Sequence, residues 1–186
     1  EGNLYAVFIL SDIQQTTVLN VVTDMKISSY DWNTAEKLHF PIVLSVEDRE
    51  KYTGATYWIE ADAPEFTNAE IKPTDGSEKQ LIETIMDYTL KKMSPKIMDE
   101  ESTALTAWRQ GYGDCWEYSA VFTALCRAHG IPARIIITNW PDSEASGHAI
   151  VEVFIEELGW VPFDPVNIDT RYTTFNEIDT DLIYLT

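Results

Sequence analysis

An apolar stretch from Cys115 to His129 constrains the fold more than any other part of the chain. Two glycines just before it allow a sharp turn, Gly130 provides a helix stop, and Pro132 cannot continue a helix. These signals predict one helix over residues 115–129, with Cys115 at its N-terminus. A helix framed in this way has to bury its apolar surface against other elements.

The segments around this helix predict an α+β protein. Three segments that follow it are rich in β-branched and aromatic residues and are predicted as strands: 133–138, 148–155 and 160–163. Two helices are predicted before it. The first covers 77–93, with Ser77 as its cap, and the second covers 104–110, with Gly111 as its stop.

The N-terminal third of the chain is predicted as a separate β-rich region. Its segments 4–10, 16–23, 38–45 and 53–61 have strand-like composition, although Pro41 restricts the third to an edge or a bulge. A proline-containing loop over 62–76 follows. We therefore divide the chain into a β-rich region, 1–70, and a catalytic domain, 71–186.

The charge of the chain excludes some partners. It carries 31 acidic against 13 basic residues, a net charge of −18, so nucleic acid and anionic lipid are unfavourable partners. A membrane span is not expected, because no apolar stretch approaches about 20 residues, and no signal peptide is recognisable. Composition leaves open whether the protein is cytoplasmic or exported, and what its oligomeric state is.

The two cysteines are predicted to have different roles. On one helix, Cys115 and Cys126 would lie about 16 Å apart, beyond the roughly 7 Å that a disulfide allows, so both should be free thiols. The positive end of the helix dipole favours the reactive thiolate at Cys115, although a lone cysteine is commonly just a small buried hydrophobe. Cys126 lies among apolar residues in mid-helix and is predicted to be core.

Of the three histidines, His148 is the candidate for chemistry. His39 lies in a strand-like apolar run, and His129 suits the C-terminal end of the cysteine helix. His148 follows a polar loop and opens a strand. A hairpin would place Asp164 on the same face as His148, near enough for a hydrogen bond if the register allows it. The alternative for Asp164 is a simple Asp-Pro turn.

Together these residues fit a cysteine nucleophile mechanism. An imidazole at His148 can accept the thiol proton of Cys115, and a carboxylate at Asp164 can fix the imidazole tautomer. The thiolate would then attack an amide carbon and form a thioester. The backbone N–H of Cys115 is one predicted donor to the oxyanion. Tyr112, Trp108 and Trp140 are unranked candidates for the second.

Four sequence blocks resemble the transglutaminase-like superfamily. They are GYGDCWEYSA at 111–120, LCRAHGIPAR at 125–134, GHAIVEV at 147–153 and GWVPFDP at 159–165. The resemblance covers roughly residues 77 to 170 and implies a papain-like core, in which the cysteine-bearing helix packs on an antiparallel sheet. It assigns Cys115, His148 and Asp164 to the triad positions. The chain departs from the family at Asp114, where animal transglutaminases usually have Gln, and at Ile150, where members usually have Trp.

The resemblance implies an enzyme acting on protein or peptide amides. We expect a cysteine-dependent amide hydrolase, because the chain is compact and its motif variants resemble those of microbial members. Asp114 argues against transferase specificity, since a carboxylate next to the cysteine would oppose thiolate formation. Acyl transfer to amines, as in protein cross-linking or deamidation, is one alternative. A non-catalytic binding module on the same fold is another. No metal or cofactor is expected, because the sequence lacks a recognisable calcium loop.

Overall fold

The computed structural model describes most of the chain from residue 43 onward. Its described residues are Val18 and the ranges 43–73, 76–139, 147–156, 158–166 and 183–185. The helices are α1 (Val46–Thr53), α2 (Pro64–Thr67), α3 (Glu78–Lys92), α4 (Ala104–Gln110) and α5 (Cys115–Ala128). The strands are β1 (Ser94–Pro95), β2 (Tyr112–Gly113), β3 (Ala133–Asn139), β4 (His148–Ile155), β5 (Gly159–Phe163) and β6 (Ile183–Leu185).

An antiparallel sheet forms one layer of the protein. Its strand order is β5-β4-β3-β6, and every neighbouring pair runs antiparallel. Val151, Val153 and Val161 belong to the same apolar core as the buried residues of α5. The predicted α+β architecture, with the cysteine-bearing helix packed on an antiparallel sheet, is therefore confirmed. A short parallel pair, β1 with β2, lies outside this sheet.

Helix α5 is the centre of the core. Every residue from Glu117 to Cys126 is buried, as expected for a helix that is apolar on nearly all sides. Phe66 of α2 and Ile82 and Ile85 of α3 are completely buried in the same cluster. None of the helices in the described ranges has the length and apolar character needed to cross a membrane.

The C-terminal end of α5 is fixed by its own residues. His129 is the C-cap, and its Nδ1 lies 2.8 Å from the Leu125 carbonyl oxygen. Gly130 has a φ of 77°, a left-handed conformation that glycine adopts without strain. Arg127 donates to the carbonyl oxygens of Gly54 and Ala133 and so joins α5 to the end of α1 and the start of β3.

The strand predicted at 53–61 is wrong. Thr53 ends helix α1, and the chain from residue 54 to 63 is irregular. Local capping outweighs the strand propensity of this region. The Ser45 hydroxyl accepts the Asp48 N–H at 3.0 Å, and Gly54 ends the helix. The last three residues of the strand predicted at 38–45 are also irregular.

Most of the predicted β-rich region cannot be compared with the structure. The strand predicted at 4–10 and His39 lie outside the described residues, and only Val18 of the strand predicted at 16–23 lies within them. Ile59, Ala63 and Phe66 belong to the same core cluster as α3 to α5. The division of the chain at residue 70 stays a prediction.

Candidate active site

The start of α5 leaves one backbone donor open at Cys115. The Asp114 side chain accepts the N–H groups of Trp116 and Glu117, and the Glu117 side chain accepts the Asp114 N–H, a reciprocal capping box. The Tyr118 N–H bonds the Asp114 carbonyl oxygen. Within the described residues, the Cys115 N–H bonds no acceptor.

Sheet register brings His148 and Asp164 together. Val151 pairs with Phe163, so Asp164 lies across from Ile150 and diagonal to His148 on the same face. Gly159 joins the ladder opposite Ile155, which leaves a three-residue hairpin loop. The φ of Gly159 is 81°, as such a loop requires. The strand register therefore allows the hydrogen bond between His148 and Asp164, and the pairing of β4 with β5 needs no bulge.

The structure brings the three predicted triad residues together, and a hydrogen bond joins two of them. Asp164 Oδ2 lies 2.7 Å from His148 Nε2, and Asp164 Oδ1 accepts the Val166 N–H at 3.0 Å. The His148 and Asp164 side chains are 16% and 20% exposed, so water screens their interaction only weakly. The Cys115 side chain lies near enough to His148 to raise the pKa of the imidazole.

These contacts change the protonation of His148. Burial acts to lower the pKa of the imidazole, but the hydrogen bond to Asp164, the neighbouring Cys115 thiol and the charges of both groups outweigh it. The net effect raises the pKa of His148 from 6.5 to about 10. A raised pKa means that protonation stabilises the fold. That contribution is complete below pH 6.5 and is lost as the pH rises through about 10.

A separate hydrogen bond sets the spacing between Cys115 and His148. Ser119, one helical turn beyond Cys115, is completely buried and donates its hydroxyl to the Ala149 carbonyl oxygen at 3.0 Å. Ala149 directly follows His148 in β4. The bond therefore joins the first turns of α5 to the start of the strand that carries the imidazole.

A cleft of about 240 Å³ opens beside Cys115. One wall is the segment 98–102, which we call the wall segment. Three hydrogen bonds join it to the cysteine helix. Met98 N–H donates to Asp114 Oδ2 at 3.0 Å, and Ser102 N–H donates to Glu117 Oε1 at 2.8 Å. In the opposite direction, Trp116 Nε1–H donates to the Ser102 carbonyl oxygen at 3.0 Å. These bonds hold the segment in place over the nucleophile.

The lining of the cleft is acidic. Asp99, Glu100 and Glu101 of the wall segment are exposed, and Asp114 adds a fourth carboxyl group. No lysine or arginine among the described lining residues balances them. Trp116 supplies an aromatic surface, and its ring packs edge-on against Trp58 at 5.8 Å between centroids. The cleft therefore combines negative charge with an aromatic surface beside the thiol.

The Asp114 carboxylate is engaged in hydrogen bonds. Oδ2 accepts the Met98 N–H and Oδ1 accepts the Trp116 N–H. Donors that already bond a carboxylate compensate part of its charge, so it opposes a neighbouring thiolate less than a bare carboxylate would. Asp114, which departs from the animal transglutaminase pattern, is the N-cap of α5 in this chain.

Of the predicted oxyanion donors, Cys115 is the one that lines the cleft. The Trp108 ring packs against Phe66 and Tyr88, and we do not retain it as a donor, because this packing places it in an aromatic cluster of the core. The Tyr112 ring lies under the Lys96 ammonium group at 4.0 Å and is not among the lining residues. Trp140 lies outside the described residues.

Sequence reasoning missed Glu117 and the wall segment. The signal for Glu117 was present, because Asp114 followed three residues later by Glu117 is the spacing of a capping box. The wall segment gave no such signal. Its contacts to Asp114 and Glu117 join residues 15 or 16 positions apart through backbone groups, which no local sequence pattern encodes.

The fold and the site together define a papain-like α+β protein in which a cysteine lies beside a hydrogen-bonded histidine and aspartate. The family model of the transglutaminase-like superfamily matches residues 65–165, more than half of the 186 residues. The chain therefore belongs to the transglutaminase-like superfamily.

Individual proteins show more limited similarity. A candidate cysteine protease from Cytophaga hutchinsonii has a TM-score of 0.60 and 19% identity, over 76% of this chain and 46% of that one. The periplasmic domain of TgpA from Pseudomonas aeruginosa has a TM-score of 0.48 and 19% identity, over 67% and 48%. Annulin of Schistocerca americana is 32% identical over 59 residues, 32% of this chain and 8% of annulin. The chain thus spans less than half of each, and the structural likeness concerns the fold.

Proposed function

We propose that this chain is a cysteine-dependent amide hydrolase that acts on protein or peptide substrates through a thioester. The observation that carries the proposal is the hydrogen bond between His148 and Asp164 beside Cys115, which lines an open cleft. A thiol beside an imidazole that a carboxylate orients is the arrangement that activates a cysteine nucleophile. Membership of a superfamily that includes cysteine peptidases supports it.

In this mechanism His148 takes the Cys115 proton, and the thiolate sulfur attacks the carbonyl carbon of the amide. A C–S bond forms, and the carbonyl oxygen becomes an oxyanion that the open Cys115 N–H can stabilise. The oxyanion then collapses, the C–N bond breaks, and the His148 imidazolium gives its proton to the departing amine. Water, deprotonated by His148, cleaves the thioester, so the products are a carboxylic acid, an amine and free enzyme.

Acyl transfer to a primary amine is the second candidate. The four carboxyl groups that line the cleft favour it, because they would attract a lysine ammonium group to the thioester. The two candidates share every step as far as the thioester and differ only in whether water or an amine cleaves it.

Alkylation against pH tests the proposed nucleophile. We expect iodoacetamide to modify Cys115 rapidly near pH ~6, where an ordinary thiol of pKa about 8.5 is almost fully protonated and unreactive. The reason is that an imidazolium at His148, held by Asp164 beside the cysteine, would stabilise the thiolate. Modification is read at each cysteine separately by peptide mass spectrometry.

Cys126 and a His148 variant provide the controls. Cys126 is completely buried, and burial raises the pKa of its thiol far above the ordinary range, so it should stay unmodified in the native protein. His148→Ala should remove the reactivity of Cys115 near pH ~6 and leave the pH dependence of an ordinary thiol. Reaction of wild-type Cys115 only above roughly pH 8.5 would contradict the proposal.

The acidic cleft predicts a preference for cationic substrates. Changing Asp99→Asn, Glu100→Gln and Glu101→Gln together should lower kcat/KM for peptides with an arginine near the attacked amide by about tenfold, and raising the salt concentration should have a similar effect on wild type. Peptides with citrulline at the same position keep the shape but lack the charge, and should be affected little. Arginine is used because it cannot act as an acyl acceptor.

Two results decide this prediction. Equal kcat/KM for arginine and citrulline peptides in wild type would show that the carboxyl groups do not select the substrate. A matched triple change on an exposed face away from the cleft, Glu47→Gln, Asp48→Asn and Glu50→Gln in α1, controls for net charge and should leave the preference intact.

A further inference from the structure

Glu117 is a buried acid for which the proposed reaction has no step. Its side chain is completely buried at the third position of α5. Oε2 accepts the Asp114 N–H at 3.1 Å, while Oε1 accepts the N–H and the hydroxyl of Ser102 at 2.8 and 3.2 Å. Burial raises the pKa of Glu117, and the neighbouring Asp114 carboxyl raises it further, against the opposing effect of these N–H donors. Burying an acidic side chain costs free energy, and hydrogen bonds that support the fold or the site offset that cost.

The hydrogen bonds of Glu117 reach residues on both sides of the cleft. One fixes the backbone of Asp114, the residue directly before the nucleophile, and the other fixes Ser102 at the end of the wall segment. Gly113 approaches Glu117 so closely that a Cβ there would lie 2.2 Å from the Glu117 Cβ. The turn that leads into Cys115 is therefore packed directly on the Glu117 side chain.

This arrangement also determines which N–H group faces a substrate. Asp114 and Glu117 together satisfy the N–H groups of Asp114, Trp116, Glu117 and Tyr118, and they leave the Cys115 N–H without an acceptor in the described part of the chain. The Cys115 N–H belongs to the peptide between Asp114 and Cys115, whose carbonyl oxygen accepts the Tyr118 N–H. Glu117 holds the peptide on the other side of Asp114 through the Asp114 N–H. If that bond were lost, Asp114 would be held on one side only, and the direction of the Cys115 N–H would be fixed less closely.

We propose that Glu117 is a positioning residue that holds the Cys115 N–H in the direction of the developing oxyanion. The inference rests on the proposed function of Cys115 as a nucleophile toward acyl groups. Glu117 itself touches no reacting atom. It acts by fixing the Asp114 peptide against the wall segment, so that the one open donor of the helix start is preorganised when the C–S bond forms.

Two reagents separate this role from general activation of the thiol. p-Nitrophenyl acetate acylates a thiolate: the C–S bond forms through an oxyanion, and p-nitrophenolate leaves. Iodoacetamide alkylates the same sulfur by displacing iodide from a saturated carbon, and no oxyanion forms. The ratio of the acylation rate to the alkylation rate at Cys115 therefore reports the oxyanion donor, with Cys115→Ala as the blank for each reagent.

The variant Glu117→Gln keeps the side-chain volume and a carbonyl oxygen for Ser102, but it places an NH2 group against the Asp114 N–H. We expect its acylation rate to fall about 10²-fold while its alkylation rate changes little, the loss typical of one misplaced oxyanion donor. Ser102→Ala removes only one donor to Glu117 and should lower the same ratio in the same direction by less.

A stability control uses the same helix. Leu125→Ala empties a completely buried position distant from the cleft, so it destabilises the protein and should leave the ratio unchanged. A ratio that is unchanged in both Glu117→Gln and Ser102→Ala, with wild type acylated at Cys115, would overturn the positioning role alone. Failure of wild-type Cys115 to be acylated at all would overturn the proposed function and this inference with it.

Discussion

Cys115→Ala is expected to lower amide turnover at least about 10⁴-fold, the effect of removing a covalent nucleophile whose loss leaves only binding and oxyanion contributions. Because the thioester cannot form without the sulfur, hydrolysis and acyl transfer should disappear together. The measurement is turnover of a mixed peptide library by mass spectrometry, with hydrolysis and amine incorporation counted separately.

Cys126→Ala is the matched control for this experiment. Cys126 is completely buried in the same helix, so the change should cost about 1 kcal/mol of stability through a small cavity and leave turnover intact. Wild-type turnover in Cys115→Ala would exclude the proposed nucleophile. If wild type turned over no peptide and both it and Cys115→Ala bound the same partner equally, the chain would be a binding module on this fold.

Gly113→Ala should have the largest effect on stability, about 2–5 kcal/mol, because overpacking adds to the loss of a helix cap. The new Cβ would lie 2.2 Å from Glu117 Cβ and 2.6 Å from Glu117 Cγ, and these atoms lie too near the backbone to swing away. Gly113 pairs with Pro95, and its carbonyl oxygen accepts the Lys96 N–H, so its own backbone is also held. Urea denaturation measures the loss.

Gly130→Ala and a double variant give this prediction its controls. Gly130, at the other end of the helix region, has open space around it and a φ of 77°, so alanine there should cost only about 1 kcal/mol from backbone strain. Gly113→Ala combined with Glu117→Ala should lose less stability than the sum of the single variants, since the second change removes the clash of the first. Strict additivity would show that Glu117 is not what excludes a side chain at Gly113.

Local sequence signals predicted the catalytic half of the fold well. Helix α3 begins after the predicted cap Ser77, and α4 and the start of α5 lie where glycine and capping residues placed them. In these segments local propensity, apolar period and end signals all indicate the same element. Helix α1 was missed because it has no buried residue and hence no apolar period. Its only signals were the cap Ser45, two acidic residues in the first turn and Lys51 in the last turn.

The site was predictable as far as it depends on strand alternation. That His148 and Asp164 share a face follows from the period of two residues, and the structure adds the register through the Ile155–Gly159 pair. The contact between Cys115 and His148 depends instead on how α5 packs on β4. The Ser119–Ala149 bond that fixes this packing joins residues 30 positions apart, which a sequence pattern does not encode.

The wall segment is attached to the cysteine helix almost entirely through its backbone. Met98 N–H, Ser102 N–H and the Ser102 carbonyl oxygen make the ties, while the side chains of residues 99–101 are exposed and line the cleft. Residues 99–101 can therefore be substituted without removing the hydrogen bonds that hold the wall segment in place. Under the proposed function, the selectivity of the cleft would be separable from its chemistry. Engineered variants with a different tripeptide at residues 99–101 are therefore expected to prefer substrates of a different charge.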